Sequence, residues 1–410
     1  MEHIVLTGVG MMSAAGTGAG PVLDAMASGT HFFNVEHPGK RSLHPRFPWP
    51  EASLKEPNVP WPEGGAWPDI KKYANDSAHQ AVAVGRMAIA QSGMADEASA
   101  IRCGAVMASG NRSDELAPLM GRLGLLAQTD PRPLAKLLFD EVPDYSYLRG
   151  IPCQIGQFVC LATGFRGSNV AHYGEAGASG LGALSFAKRM LEHEELDRVI
   201  VVGVGIPLPP QMLVALDRHN PLGTEAIPGR GPFDVGRAGT LLGHAAVALI
   251  IERESVARAR GAATLGTLLS CESINATSSP AALAVATQRA LEFAGRPPQF
   301  WWAHGAGSVS ADLAECQTVA PLVRGPTTGT KGTIGNTGEA AGLVDVVLAA
   351  EALRRGQIPP VGLLQKPDPA LGDIDFVVGK PRAMPPGRRT ALVTALDSRA
   401  ECAGAAVIGM

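Results

Sequence analysis

Four segments hold the residues whose types and spacing could do chemistry. In Ala303-His304-Gly305-Ala306-Gly307-Ser308 a single imidazole stands in a glycine-rich turn, with Asp312 and Glu315 shortly after it. Lys331-Gly332-Thr333-Ile334-Gly335-Asn336-Thr337 offers an ammonium and a carboxamide, and leads into Glu339-Ala340-Ala341-Gly342. Imidazole and carboxamide can both donate a hydrogen bond to an oxyanion or enolate. Pro232-Phe233-Asp234 stands near Arg237, Gly239 and Gly243. Gly174-Glu175-Ala176-Gly177-Ala178-Ser179-Gly180 opens a helix, and Glu175 suits the positive end of its dipole. Each group also has a structural reading. His304 can serve as a hydrogen-bonded turn residue, Lys331 with Glu315 as a buried ion pair, Asp234 with Arg237 as fasteners of a loop, and Ser179 as a turn residue. The glycines lack the GxGxxG spacing and downstream acid of a dinucleotide site.

The elements that must position these groups alternate between strand and helix. His3 to Val9, Cys103 to Ala108 and Arg198 to Val204 read as apolar strands; Ile70 to Gly93 and Ala178 to Leu191 read as helices, the first stopped at Gly93. Later come helices over 282–293, 311–323 and 339–355, and strands over 300–304, 376–378, 390–395 and 405–408. Long buried strands between helices imply a sheet covered on both faces. The two parts look like duplicated α/β units, over 1–250 and 251–410. Pro45 to Pro68 holds seven prolines and three tryptophans, which excludes regular structure; Trp49, Trp61 and Trp67 then anchor the excursion or form an interface patch.

Composition excludes several classes. The 410 residues carry a net charge of −3 and no basic block, so nucleic acid is not an expected partner. No apolar run reaches the roughly 18 residues of a spanning helix, and the N-terminus does not read as a secretory signal. The six cysteines form no CxxC pair, which fits reduced thiols in a cytoplasmic protein without a metal. Hydrophobic residues make up 46% but aromatics only 5%, so the core is expected to be built of small side chains.

In order and spacing the motifs resemble the β-ketoacyl synthase family: its PFD run at 232–243, its HGTGT run at 304–315, its lysine run at 331–342, its nucleophile elbow at 175–180, and its opening strand at Leu6 to Gly16. The resemblance implies a thiolase-like α/β fold, two duplicated halves in five αβαβα layers, obligately dimeric. It implies condensation of acyl groups on acyl carrier protein, by a cysteine at a helix N-terminus and two histidines, and no cofactor. Here the cysteine position falls on Gly177, or on Ala176 by a count from Gly167. No cysteine lies between Cys160 and Cys271. His304 matches the first histidine, Asn336 replaces the second, and Lys331 is retained. His244 follows Gly243 where the family has Gly-Glu. The gating loop reads Asp397 to Ala403, without its phenylalanine and glycine hinges.

Among family members the resemblance is greatest to a chain length factor. Such a subunit does not condense; it pairs with an active ketosynthase in type II polyketide or polyene assembly and shapes the acyl tunnel. Expected partners are that ketosynthase, as a heterodimer, and acyl carrier protein, with neither nucleic acid nor membrane. Two alternatives stand beside it: a malonyl-carrier decarboxylase using His304 and Asn336, and a carrier-binding scaffold. Glu175 could stand in for the glutamine found at the elbow of decarboxylating relatives, and Asp312 and Glu315 are supporting residues.

Overall fold

The computed structural model describes residues 2–33, 49–55, 60–63, 67–94, 100–109, 130, 132–133, 135–136, 146–149, 151, 154–173, 177–205, 210–219, 221–387, 389–397 and 401–410. Ten strands build one large sheet: β1 Ile4–Ser13, β2 Cys103–Ser109, β3 Asn169–Tyr173, β4 Arg198–Gly205, β5 Ala245–Arg253, β6 Gly266–Asn275, β7 Phe300–Trp302, β8 Thr327–Thr328, β9 Thr390–Asp397 and β10 Cys402–Gly409. Gly16–Thr17 adds a short strand beside β1. Six helices matter for the site: α1 Asp76–Ser92, α2 Gln154–Thr163, α3 Ala178–Glu192, α4 Ser279–Ala294, α5 Val309–Val319 and α6 Ala341–Arg355.

Strand order exposes a duplication. From the central β1–β6 pairing outward, one side runs β1-β5-β4-β2-β3 and the other β6-β10-β9-β7-β8. Each side has two antiparallel pairings followed by two parallel ones. Helices fall at matching places, with α1 and α4 after the first strand of each set and α3 and α6 after the third. α1 packs outside the first strand set and α4 outside the second, while α3 and α6 touch strands of both. This gives five layers, αβαβα. Residue 250, the expected end of the first half, lies inside β5, and the second set begins at Gly266.

Local signals account for the helix ends. The Asn75 side chain accepts the Ala78 N–H at the start of α1, and Gly93 ends it in the left-handed region at φ 67°. Ser278 and Gly295 do the same for α4. The core is close-packed through small residues. A Cβ at Gly8 would lie 2.4 Å from the Ala88 carbonyl oxygen, and one at Gly10 only 2.0 Å from that of Val84, so β1 can lie against α1 only with glycine at both positions. In the middle layer Leu181, Leu184, Leu343 and Leu348 are fully buried, each worth roughly 1.5–3 kcal/mol.

Some sequence expectations need correction. Residues 376–378 form no strand; Phe376 makes only an isolated bridge to Thr327, because Phe376 N–H bonds to the nearby Ile374 carbonyl in a tight turn. The 282–293 helix is longer, the 311–323 helix stops at Val319, and the third begins at Ala341 after a 3-10 turn over Gly338–Ala340. The Pro/Trp excursion does contain regular structure: Glu51–Ala52 pairs in parallel with Leu242–Gly243, and Trp67–Ile70 is a short helix. Proline is absent from that strand pair, so nothing blocks it. Trp61 stacks on His79 at 4.6 Å and, with Trp67, packs against the Phe158 side of the α1 core. The two tryptophans thus staple the excursion to its own domain.

Candidate active site

The site forms where the start of α3 meets the turn after β7. Gly177 is the N-cap of α3, with helical backbone and no side chain to cap it. An ideal Cβ at Gly177 would lie 2.5 Å from His304 Cε1, 3.1 Å from His304 Nδ1 and 2.9 Å from the Leu396 carbonyl oxygen. The imidazole and β9 therefore occupy the space a side chain at 177 needs. Glu175 and Ala176, and residues 398–400 of the expected gate, lie outside the described residues. Asp397, Cys402 and Ala403, expected in that gate, instead belong to β9 and β10, where Asp397 pairs with Cys402. Ser179 sits in the first turn of α3, not in a turn before it.

His304 is 4% exposed, and its Nδ1 has no hydrogen-bond partner among the described residues. Burial, reinforced by the Lys331 ammonium, holds its pKa well below the usual value, so the ring is neutral near pH 7. Its backbone is gripped on both sides of the Cα. Glu315 accepts the His304 N–H at 2.7 Å through Oε1 and the Gly305 N–H at 2.8 Å through Oε2. Lys331 Nζ donates to the His304 carbonyl oxygen. Asp312 accepts the Gly307 N–H and the Phe233 N–H, each at 2.9 Å, and pairs with Arg237 at 3.2 Å. Burial pushes the Asp312 carboxyl up to about 6 and that of Glu315 up to about 7, against the pull of their donors.

Lys331 and Glu315 do not form the expected ion pair. The carboxylate beside Lys331 is Asp345, at 3.6 Å, while Glu315 spends its oxygens on N–H and O–H donors. Sequence reading missed Asp345, although a lone carboxylate in the apolar run LVDVVLAA was a usable signal. Asp234 and Arg237 do fasten a loop: Asp234 accepts the N–H groups of Gly236, Gln365 and Lys366, and Arg237 reaches Asp368.

Asn336 is half-buried. Its backbone bonds to 241 and 243, and its Oδ1 accepts the Gly338 N–H at 3.2 Å. Among the described residues it makes no hydrogen bond to His304. The structure thus gathers Gly177, His304, Lys331, Asp312 and Glu315, with Asn336 two residues beyond the short helix Lys331–Ile334. On the far edge of Leu242–Gly243 lies the excursion, where His244 pairs with Glu51 and gives its N–H to the Ala52 carbonyl. No group of three metal-ligating side chains occurs among the described residues, nor does a helix long and apolar enough to cross a membrane.

Comparison with known proteins identifies the family. Residues 1–257 match the model of the β-ketoacyl synthase N-terminal domain, and residues 262–364 that of its C-terminal domain. The actinorhodin polyketide β-ketoacyl synthase 2 named in Streptomyces coelicolor is 33% identical over 250 residues, 58% of this chain and 60% of that protein. The chain thus spans somewhat under two thirds of that relative. Against the 3-oxoacyl-(acyl-carrier-protein) synthase 2 of Vibrio cholerae it is 26% identical over 397 residues, 92% of each. Two solved structures share the fold: the ishigamide ketosynthase/chain length factor, at TM-score 0.83 and 20% identity over 100% of this chain and 99% of that one, and a β-ketoacyl synthase from Burkholderia phymatum, at TM-score 0.85 and 22% identity over the same shares. With both family domains matched in order along the chain, this protein belongs to the β-ketoacyl synthase family.

Proposed function

We propose that this protein is a non-condensing ketosynthase-like subunit of the chain length factor type. It pairs with an active ketosynthase in type II polyketide or polyene assembly and lines part of that partner's acyl tunnel. The observation that carries the reading is the contact between Gly177 and His304. The helix start has neither a nucleophile nor room for one, since a Cβ there would meet the imidazole at 2.5 Å. On this reading no thioester forms to this chain at 177. The fold around it keeps its buried carboxylates, its lysine and its glycine turns, as a subunit valued for its shape requires.

Assembly follows from the sheet. β3 is the end strand on its side, so its outer edge is open to pairing among the described residues. A second ketosynthase-like chain docked there by its own end strand continues the sheet across a pseudo-two-fold axis and buries on the order of 2,000–5,000 Å². Acyl carrier protein delivers to the partner's cysteine, in the cytoplasm, and no cofactor takes part. Co-expression with an active ketosynthase tests this: the two chains should co-purify, and Ala171→Lys on β3 should cut complex yield and condensation together. An unimpaired Ala171→Lys complex, or full condensing activity from this chain alone, would defeat the proposal. The decarboxylase reading gains from the neutral His304 ring, whose Nδ1 has no hydrogen-bond partner among the described residues, and turnover of malonyl-carrier protein by the isolated chain distinguishes it.

A further inference from the structure

Two consecutive tryptophans precede His304, and neither belongs to the motifs described so far. Trp301 is 2% exposed and Trp302 is fully buried. As neighbours on a strand they point to opposite faces of the sheet. Trp301 lies in the core beneath α4, and Trp302 in the central core beneath α3 and α6. Each indole N–H meets a threonine hydroxyl at 2.8 Å, Trp301 with Thr394 and Trp302 with Thr330.

The direction of these bonds is fixed by chemistry. An indole N–H only donates, so each threonine oxygen must accept it, and the single hydroxyl proton is left to point elsewhere. Thr394 donates its proton to Glu315 at 2.8 Å, and Thr330 donates to Asp345 at 2.6 Å. Trp302 also reaches Asp345 directly at 3.2 Å. Glu315 then holds the His304 N–H, while Asp345 lies 3.6 Å from the Lys331 ammonium that holds the His304 carbonyl. Two arms therefore start from adjacent residues, pass through opposite faces of one sheet, and close on the backbone N–H and the backbone carbonyl of a single residue, His304.

We infer that Trp301 and Trp302 are positioning residues of this site, each fixing one of the two backbone groups that flank the His304 Cα and together holding the imidazole against Gly177. Neither touches the reacting space; each acts through a threonine and a carboxylate. The arms favour carboxylates that accept rather than donate, which is the form that can grip an N–H and face an ammonium. The inference holds whether the site is silent or decarboxylating, because both readings depend on where the ring sits.

The test uses the full-length chain. Trp301→Phe and Trp302→Phe keep an aromatic ring and delete the N–H. Each is combined with Gly177→Cys, and the alkylation rate at position 177 by iodoacetamide is read by peptide mass spectrometry. Freed by the loss of one hydrogen bond, the imidazole should yield and the rate should rise roughly three- to tenfold. Cys271, fully buried in β6, is the internal control and should stay unreacted. In 15N-histidine-labelled protein without the cysteine, the His304 ring signals should move in both tryptophan variants. Should either tryptophan variant not fold, Thr394→Val and Thr330→Val cut the same arms one link later and must produce the same two changes. Unchanged alkylation with unmoved ring signals overturns the inference. So does a parallel rise at Cys271, which would mean general loosening.

Discussion

The two halves of the molecule share one plan but meet the site differently. Both run their strands in the same order and set helices at the same places, yet among the described residues the first half meets His304 with a bare helix start at Gly177 and reaches the frame through Phe233 and Arg237 on Asp312. The second half brings His304 with its backbone N–H and carbonyl both held, and the further buried carboxylates Asp312 and Asp345 around it. The contrast separates two kinds of conserved-looking residue. Gly177 has no side chain, so nothing else in the fold depends on a partner there. The groups around His304 satisfy one another, and removing any one leaves a buried charge or donor without a partner. Position 177 is therefore the tolerant side of the site, and the frame around His304 the intolerant one.

The sharpest way to break this contrast is Lys331→Met. It strips the ammonium from Asp345, whose carboxyl is already pushed upward by burial, and from the His304 carbonyl. Leaving one partner of a buried pair costs about 3–5 kcal/mol. Urea unfolding should show a loss of that size, and a loss under about 1 kcal/mol would mean the frame is not a frame. In the first half the comparable change is Gly177→Cys. It overpacks the ring and the Leu396 carbonyl, so it should cost about 1–3 kcal/mol by the same measurement. After incubation with acyl-carrier protein, intact-mass spectrometry should find no acyl adduct on the wild-type chain. A stable adduct on Ser179 or on any cysteine would sink the reading of a silent site.

Sequence motifs located the segments that meet here, because glycine turns and helix starts leave local signatures. The strand–helix alternation read from β1, β2, β4, α1 and α3 was also local and came out within a few residues. The pairing of Lys331 with Asp345 was not legible, because it depends on how α6 packs against the short helix at 331–334. The duplication was legible as a repeated strand–helix alternation. The strand order and pairing directions that the two halves share were not, because they leave no trace in residue identity. The tryptophans of the excursion were legible as anchors, but not what they anchor to.

Acid tests the His304 cage more gently than either substitution. Burial and Lys331 lower the His304 pKa, whereas the unfolded chain takes up that proton near the ordinary value of about 6.5. Below that pH the unfolded state binds the extra proton, so this contribution to stability is present above 6.5 and is lost as pH falls. The slope approaches about 1.4 kcal/mol per pH unit. Glu315, raised to about 7, has the opposite sign: its folded form holds a proton that the unfolded carboxyl has lost, so its contribution falls as pH rises from the ordinary carboxyl range to about 7. A difference measurement isolates the histidine. His304→Gln should gain on wild type as pH drops from 7 to 5, and parallel stability curves would show that the ring already titrates in the fold.

The smallest test compares the two outer helices, whose caps occupy matching places. Asn75 accepts the Ala78 N–H at 2.9 Å and also donates to the Arg149 carbonyl at 2.6 Å, in a partly buried setting. Ser278 makes one exposed bond, to the Ala281 N–H at 3.3 Å. Cap removal costs about 0.5–2 kcal/mol, the lower end for a long, solvated bond. Ser278→Ala should therefore cost about 0.5 kcal/mol, and Asn75→Ala at least twice that, since the Arg149 carbonyl loses a donor as well. Equal losses would mean that the second bond of Asn75 adds nothing. A larger loss at Ser278 would reverse the order and place the stronger cap in the second half. Chemical denaturation of the two variants, run side by side at the same pH, resolves differences of this size through the shift in midpoint at constant slope.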